Sequence, residues 1–389
     1  MKKIPLFLFG IFAITSCVKN QEVLKKITIT NPLSIVRNFE TVEIDISSLP
    51  TTTAFNLVVT DDKNSEITSQ IVDNDLDGTY DVLLFQPSIK ARESKSYNII
   101  FSKSKKNTDT TFCYSRFVPE RTDDYTWENN KVAFRTFGPV AQKMVEENVK
   151  GGTLSSGIDA WLKRVDYPII NLWYKRNDKK KGAYHIDHGE GVDNFHVGVS
   201  RGVGGTAVKV DTAYYFSKNF IAYKTITTGP IRTSFELEYA TWDANGKQIN
   251  ETKRISLDYG QNLSRFEIDI KGTENISSGL TLHNKKGTTS QNDSSFWISH
   301  WEKLQDSYIG TGVVTLASYF KKSEKYTTSR KDESNHFLQM NVIDEKVVFY
   351  SGFGWVKSKQ FTNKEEWENY LTDFSKKINT PLKVYINSL

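Results

Sequence analysis

Cysteine and long apolar runs are both scarce in this chain. Only 2 of its 389 residues are cysteines, at positions 17 and 113, so a fold stapled by several disulfides is excluded. The main apolar run, Ile4–Ile14, is too short to cross a bilayer as a helix. An excess of one charge is missing too, because 51 Lys and Arg residues are interspersed with 46 Asp and Glu residues. Nucleic-acid binding is therefore not indicated.

The N-terminus carries the pattern of an export signal. Lys2 and Lys3 precede the apolar run, which ends in Ile14-Thr15-Ser16-Cys17. That ending resembles the lipobox of bacterial lipoproteins. We therefore predict a signal peptide over residues 1–16 and a tether over residues 17–24, lipidated at Cys17. The lipid would anchor the protein to a bacterial membrane, and we expect the outer membrane, facing the periplasm. The alternative is an ordinary signal peptide with a chance cysteine.

Aromatic residues are abundant, at 13% of the chain, and the net charge is mildly positive, at +5. Trp and Tyr can stack on sugar rings, and a mild positive balance suits an acidic polysaccharide as the partner. The alternative is a β-rich core that is simply built of Phe and Tyr. Cys113 lies in an apolar context and would have no disulfide partner in the mature chain, so we expect it to be packed.

Short segments of alternating apolar and polar residues dominate the chain, as in Thr41–Ile46 and Arg232–Tyr239. They predict an all-β fold, with a small β-sandwich over residues 25–105 and a large multi-sheet domain over residues 110–389. Helices are predicted at two places. The first is at about 139–150, with a buried stripe of Val140, Met144, Val145 and Val149. The second is at about 364–378, capped by Asn363 and Glu366.

The stretch Gly182–Gly205 concentrates the residues that can do chemistry. It holds three histidines, three carboxylates, a tyrosine and an arginine among many glycines: His185, His188, His196, Asp187, Glu190, Asp193, Tyr184 and Arg201. These are the residue types that proton transfer and anion binding require. If Val192–Ser200 is a strand, Phe195 and Val197 face the core and His196 lies on a polar floor. Arg201 would then lie at the rim.

Two other interpretations of this stretch remain open. It could be a polar β-hairpin with a glycine-rich tip, whose histidines are ordinary surface groups. It could also be a structural cation site, because His185, Asp187 and His188 offer nitrogen and oxygen ligands. We predict no cofactor and no metal ligands, although the composition is compatible with a bound divalent cation.

Two clusters of aromatic and basic residues precede this stretch, Trp161-Leu162-Lys163-Arg164 and Trp173-Tyr174-Lys175-Arg176. Aromatic rings beside cations fit uronic-acid or sulfated sugars, through stacking and charge-assisted hydrogen bonds. The alternative is that both clusters are solvated strand edges.

Several separated motifs resemble one protein family, the DUF4861 proteins. They are Tyr184-His185-x-Asp187-x-Gly189-Glu190-Gly191-x-Asp193, Gly198-x-Ser200-Arg201-Gly202-x-Gly204-Gly205, Ala133-Phe134-Arg135-x-x-Gly138-Pro139, Gly229-Pro230-x-Arg232 and Tyr350-Ser351-Gly352-x-Gly354-Trp355. The resemblance runs from about residue 25 to the C-terminus. It implies a lipoprotein or secreted protein of polysaccharide-degrading Bacteroidetes, and a β-supersandwich like that of galactose mutarotase.

The resemblance also implies an activity, that of the oligosaccharide dehydratase of ulvan utilisation. Such an enzyme eliminates water across C4–C5 of a non-reducing-end glucuronyl residue and leaves a 4,5-unsaturated sugar. A polysaccharide lyase acting on uronic-acid glycans and a non-catalytic glycan-binding lipoprotein are the alternatives.

The elimination requires a cation at the sugar carboxylate, a base for the C5 proton and an acid for the departing C4 oxygen. Arg201 or Arg135 suits the first task, one of the three histidines the second, and Tyr184 or a second histidine the third. The predicted catalytic residues are therefore His185, His196, Tyr184, Arg201 and His188. The predicted substrate-binding residues are Arg135, Trp161, Lys163, Arg164, Tyr174, Asp187, Glu190, Asp193 and His283.

Overall fold

The computed structural model describes residues 23–48, 56–102, 111–283 and 285–387. The export signal and Cys17 lie outside the described residues, so the lipid anchor stays a prediction. In the part of the chain that is described, no helix has the length and apolarity needed to cross a membrane.

The N-terminal region forms a small sandwich of two antiparallel sheets around its own apolar core. One sheet has the order β27-β1-β7-β3-β4 and the other β2-β6-β5. The strands are β1 (Val23–Thr30), β2 (Val42–Asp45), β3 (Leu57–Asp61), β4 (Glu66–Ile67), β5 (Ser69–Val72), β6 (Val82–Phe85), β7 (Ser94–Phe101) and β27 (Lys383–Asn387). The last strand of the chain therefore returns to pair with the first, so the small sandwich also contains the end of the chain.

The rest of the described chain forms three further antiparallel sheets. The first has the order β12-β11-β10-β9-β8, from β8 (Tyr114–Val118), β9 (Asp124–Glu128), β10 (Ala133–Thr136), β11 (Asp159–Lys163) and β12 (Gly191–Val192). The second has the order β14-β13-β20-β25-β24, from β13 (Val203–Val210), β14 (Ala213–Tyr215), β20 (Asn275–Thr281), β24 (Phe320–Tyr326) and β25 (Asn335–Asn341). One continuous apolar core joins all three.

The third sheet has nine strands in the order β15-β16-β18-β19-β26-β23-β22-β21, with β17 paired to β18. Its strands are β15 (Phe220–Thr227), β16 (Arg232–Tyr239), β17 (Trp242–Ala244), β18 (Lys247–Asp258), β19 (Leu263–Lys271), β21 (Thr288–Asn292), β22 (Trp297–Leu304), β23 (Ser307–Thr315) and β26 (Lys346–Trp355). The C-terminal helix packs against this sheet through Trp367 and Leu371.

Three α-helices occur among the described residues: α1 (Pro139–Glu146), α2 (Ile170–Lys179) and α3 (Lys364–Asn379). The prediction for α3 is confirmed, since the Asn363 side chain accepts a hydrogen bond from the Glu366 amide at 3.0 Å. The predicted stripe of α1 is wrong, because Val140, Val145 and Val149 are exposed and Ala141 is the buried residue. Helix α2 was not predicted.

Candidate functional site

The sheet β8–β12 has two faces with opposite chemistry, because side chains alternate along a strand. Its inner face gives Tyr125, Trp127, Phe134, Ala160 and Leu162 to the main core. Its outer face carries charged and polar side chains: Asp124, Thr126, Glu128, Arg135, Asp159 and Lys163. Helix α2 and the loop that follows it cover this outer face through the rings of Trp173, Tyr174 and Tyr184, which pack on Trp161.

Arg135 is the centre of a buried ion cluster on that outer face. Its Nε and Nη2 donate to Oδ2 of Asp159 at 3.0 and 2.6 Å. Nη2 also donates to Oδ2 of Asp193 at 3.0 Å, and Nη1 lies 3.8 Å from Oδ2 of Asp124. We call Arg135, Asp124, Asp159 and Asp193 the arginine cluster.

Burial is the largest influence on the pKa values of Asp124 and Asp159 in the arginine cluster. It raises the pKa of Asp124 to about 6, although the charges of Arg135 and Arg121 act in the opposite direction. It also raises the pKa of Asp159, and repulsion from Asp193 adds to that rise. The pKa of Arg135 is raised well above its ordinary value, because its three carboxylate neighbours outweigh burial. The guanidinium is therefore charged at any physiological pH.

His185 stands at the solvent-facing edge of the arginine cluster. Its Nδ1 lies 2.6 Å from the carbonyl oxygen of Asp193, and its side chain is 56% exposed. A carbonyl only accepts, so Nδ1 must carry the proton and the neutral ring presents the Nε2 lone pair. The backbone N–H of Asp193 donates to the carbonyl of Tyr184 at 2.8 Å, which fixes the turn that holds His185. The ring of His185 is thus held in a defined orientation by the backbone.

Arg121 is a residue of this site that sequence reasoning missed. It lies in a short 3-10 turn before β9, in a stretch whose polar composition predicted only a loop. Its Nε donates to the Tyr184 hydroxyl at 3.2 Å, and its Nη1 donates to the Thr122 hydroxyl at 2.5 Å. No described residue accepts a hydrogen bond from Nη2. Arg121 therefore offers a free guanidinium edge next to Tyr184, and Tyr184 is in ring contact with His185 at 4.6 Å.

Ion pairs stiffen the loop between Tyr184 and Asp193. Asp187 pairs with Arg164 at 2.9 Å and also accepts from the Gly189 amide at 2.8 Å. Glu190 forms an ion pair with Arg176 of α2 and accepts from the Trp173 indole at 3.2 Å. His188 is exposed, and no described residue hydrogen-bonds to its ring.

His196 and His283 lie in a second group, at the other end of the segment 193–196. Nε2 of His196 lies 2.9 Å from Oδ2 of Asp332, and the His196 side chain is 59% exposed. His283 lies between two acceptors, with Nδ1 2.5 Å from Oε1 of Glu302 and Nε2 2.6 Å from the His196 carbonyl. Both ring nitrogens must then be protonated. Burial lowers the pKa of His283, but the hydrogen bond and charge of Glu302 outweigh burial and raise it overall.

Two further histidines lie behind this second group. Burial lowers the pKa of His300, and its Nδ1 lies 3.9 Å from Oε1 of Glu302, too far for a hydrogen bond. Burial also lowers the pKa of His336 to about 4, and its Nδ1 lies 3.3 Å from the Ser299 carbonyl. Both rings are therefore neutral at pH 7. The six histidines accordingly do not converge on one point.

Several predicted site residues are buried where a saccharide could not touch them. Trp161 and Lys163 are both 0% exposed. Trp161 lies beneath the aromatic cover, and Nζ of Lys163 donates to Glu128 and to the Asn129 carbonyl, both at 2.7 Å. Tyr174 is buried and donates to Asp124 at 3.1 Å. These three side chains build the floor of the site, so the expectation of a stacking platform at Trp161 is corrected.

The predicted strand over Val192–Ser200 is wrong beyond Val192. Residues 193–197 are extended without a ladder partner, and Gly198, with φ +54°, begins a turn. Phe195 and Val197 are buried and His196 is exposed, as the alternation predicted. Val199, however, is exposed and Ser200 is buried, because the turn reverses the alternation.

Arg201 does not lie at a rim. It is 1% exposed, and its guanidinium carbon sits 3.8 Å from the centre of the Phe216 ring. Nη1 donates to the Ser156 hydroxyl at 2.9 Å and Nη2 to the Val199 carbonyl at 3.0 Å. Arg201 is therefore enclosed within the fold and does not face a groove.

No metal site forms at the central stretch. His185 is held by Asp193, and Asp187 is held by Arg164, so the trio His185, Asp187 and His188 does not share a centre. Among the described residues one group of His, Cys, Asp and Glu could hold an ion, Asp73, Asp75 and Asp81, whose ligand atoms lie within 4.8 Å of one another. It lies in the turn between β5 and β6, in the small sandwich.

Comparison with known proteins gives a family and a fold. Residues 29–384 match the model of DUF4861, described as a domain of unknown function. A protein of Formosa agariphila, named uncharacterized protein P7, is 57% identical over 378 residues, which is 96% of each chain.

Solved structures from Enterococcus faecalis share the fold at 10% sequence identity. A protein in glycosyl hydrolase family 38 superposes with a TM-score of 0.50, over 94% of this chain and 47% of its own. An α-mannosidase gives a TM-score of 0.46, over 94% and 46%. The chain spans about half the length of these structures. The predicted all-β fold of several antiparallel sheets is confirmed and is consistent with a galactose mutarotase-like supersandwich.

Proposed function

This chain belongs to the DUF4861 family, and from the geometry at His185 we propose that it is a carbon–oxygen lyase acting on acidic oligosaccharides. The proposed reaction removes water across C4–C5 of a non-reducing-end glucuronyl residue of ulvan-type oligosaccharides and leaves a 4,5-unsaturated uronyl end. The observation that carries the proposal is the half-exposed His185, whose ring contacts that of Tyr184. Tyr184 is 6% exposed, and its hydroxyl accepts a hydrogen bond from Arg121.

The first step in the proposed mechanism is binding of the sugar carboxylate. Arg121 has an unpaired Nη2, and a planar guanidinium matches a carboxylate in shape and charge. Neutralising that carboxylate stabilises the enolate-like charge that develops when the C5 proton leaves. Arg135 stands behind this position, engaged with Asp159 and Asp193, and does not bind substrate itself.

The second step is proton transfer. Nε2 of His185 takes the C5 proton, and the electrons of that bond form the C4–C5 double bond. The C4–O bond breaks, and the departing oxygen takes a proton from the Tyr184 hydroxyl and leaves as water. Tyr184 accepts a hydrogen bond from Arg121, which stabilises the phenolate that remains. Return of the proton from His185 to Tyr184 restores both groups for the next turnover.

The carboxylates favour this reaction over glycoside hydrolysis. Asp124, Asp159 and Asp193 are the closely spaced carboxyl groups of the site, and all three are buried and held around Arg135. A glycosidase needs one free carboxylic acid and one free carboxylate on opposite sides of the scissile bond. The glycosyl hydrolase family 38 protein that shares the fold supports a carbohydrate substrate as part of the proposal, and its hydrolytic chemistry is not carried over.

The test is incubation of the protein with saturated glucuronyl-rhamnose oligosaccharides, followed by mass spectrometry and ultraviolet absorbance. Loss of one water with a new chromophore is the expected result. His185→Ala should lower kcat by about 10²–10⁴-fold, the usual effect of removing a general base. Lys181→Ala, an exposed lysine on the same loop, is the matched control and should keep full activity.

Each other outcome of this assay contradicts a part of the proposal. Two shorter products, one of them unsaturated, would show a polysaccharide lyase. Unchanged substrate with retained binding would show a glycan-binding lipoprotein. Full activity of His185→Ala together with an inactive His196→Ala would move the base to the second group, where Asp332 orients His196.

A further inference from the structure

A cavity of about 250 Å³ lies where the small sandwich, the nine-stranded sheet and α3 meet. Arg232, Arg265 and Tyr350 enter it from the sheet, and Lys377 and Phe374 enter it from α3. Its residues are not those of the site at His185. Two family motifs that have no part in the proposed function each give one residue to this cavity. Arg232 is the last residue of Gly229-Pro230-x-Arg232, and Tyr350 is the first residue of Tyr350-Ser351-Gly352-x-Gly354-Trp355.

Each carboxylate that lines the cavity is already held by an arginine. Asp258 accepts from Nε and Nη2 of Arg232 at 2.6 and 2.8 Å, and Glu43 accepts from Nη1 of the same arginine at 2.6 Å. Glu40 accepts from Nε of Arg37 at 2.6 Å. Lys377 and Arg265 are therefore not the hydrogen-bond partners of these acids.

Two cations at the cavity are incompletely matched. The ammonium of Lys377 makes no hydrogen bond or ion pair with a described residue, and burial lowers the pKa of this lysine. Arg265 pairs through Nη2 with Glu267 at 2.6 Å and also interacts with the Tyr350 hydroxyl, so a second carboxylate could still bind to the rest of its guanidinium. A half-buried ammonium without a partner costs free energy, and an anion that enters the cavity would remove that cost.

The apolar part of the lining fits the face of a sugar ring. The Tyr350 and Phe374 rings lie 5.0 Å apart in an edge arrangement, and Phe39 closes the cavity from the small sandwich. The volume corresponds to about eight water molecules at roughly 30 Å³ each, which suits one sugar residue and not a longer chain.

We propose that this cavity is a second, non-catalytic binding site for a single carboxylated pyranose, with the carboxylate at Lys377 and Arg265 and the ring against Tyr350. The inference rests on the charges and rings of the cavity and not on the proposed dehydratase reaction. Because the cavity joins the small sandwich to α3, an occupant would also tie these two parts of the molecule together.

The test uses the full chain carrying His185→Ala and Arg121→Ala, so that turnover and carboxylate binding at the first site are both removed. Titration calorimetry with glucuronate should show saturable binding, and glucose should bind at least tenfold more weakly. Lys377→Ala should weaken glucuronate binding at least tenfold, and Lys377→Arg should restore most of it. Lys376→Ala is the matched control, because Lys376 is exposed and paired with Asp373 at 2.9 Å.

The thermal midpoint of each variant shows whether it is folded, and Lys377→Gln, which is uncharged but polar, replaces Lys377→Ala if that variant is unfolded. The proposal would be overturned if a folded Lys377→Ala or Lys377→Gln variant bound glucuronate as tightly as Lys376→Ala. Equal affinity for glucose would overturn the assigned carboxylate contact. Complete displacement of glucuronate by an equal concentration of sulfate would also overturn it, by showing a simple anion site.

Discussion

Arg135 and Arg201 are both buried arginines of family motifs, but their surroundings are opposite. Arg135 is 6% exposed and meets three carboxylates, which raise its pKa. Arg201 is 1% exposed and meets a hydroxyl, backbone carbonyls and the Phe216 ring, and burial lowers its pKa to about 9. A buried charge is thus stabilised either by opposite charge or by dipoles and rings.

The largest expected effect is the loss of the arginine cluster. Arg135→Met would leave Asp159 and Asp193 buried without their shared cation, and removal of one partner of a buried ion cluster costs about 3–5 kcal/mol. Urea denaturation at pH 7 should therefore show a large drop in the free energy of unfolding. A drop below about 1 kcal/mol would mean that the cluster contributes little to stability.

The pH dependence of stability should come next in size. The pKa of Asp124 is about 6 in the folded protein and near 4 in an unfolded chain, so the folded state holds this proton more tightly. The contribution of Asp124 to the free energy of unfolding is complete below about pH 4. It is lost as the pH rises through 6, by up to about 2–3 kcal/mol. Unfolding free energies of Asp124→Asn, measured between pH 4 and 7, should lack this decline, and an identical slope in both proteins would contradict the assignment.

The smallest effect is expected at Arg201. Arg201→Met removes hydrogen bonds and the contact with Phe216, but it also removes a charge that lacks a carboxylate partner, so the net loss should be below about 2 kcal/mol. The measurement is the same urea titration, beside Arg135→Met. If Arg201→Met lowers the free energy of unfolding more than Arg135→Met does, the proposed difference between the two arginines is wrong.

Local sequence patterns predicted an element correctly where the element contains its own capping residues and its own apolar face. Helix α3 begins with a cap from its own Asn363, and its Trp367 and Leu371 form the stripe that meets the sheet. The strand β16 follows from the alternation in Arg232–Tyr239. In such segments the capping bonds and the apolar face come from neighbouring residues, so they can be recognised in a short window.

Helix α2 could not be recognised in that way. Its first amides donate to the carboxylate of Glu128, at 2.9 Å from Ile169 and from Ile170, and Glu128 belongs to the distant strand β9. Asn171 and Asn177 lower its intrinsic helix propensity. The helix is therefore stabilised by a cap from outside its own segment, which no local window contains.

The candidate site, too, was predictable from the sequence only in part. The glycine-rich stretch with His185, Tyr184 and Asp193 marked the place of the site, because titratable groups at that density are rare in an ordinary turn. The partners of these residues come from other elements. Arg121 precedes β9, and Arg135 and Asp159 lie on neighbouring strands whose register places them side by side.

The sequence by itself determined that this protein is all-β, that a helix forms at α3 and that residues 182–205 concentrate titratable side chains. Only the tertiary structure decided which of those side chains meet solvent. Burial and pairing depend on which side chains the other strands and helices bring against each residue. That is why the His185 side chain is exposed, whereas Lys163 and Arg201 are enclosed within the fold.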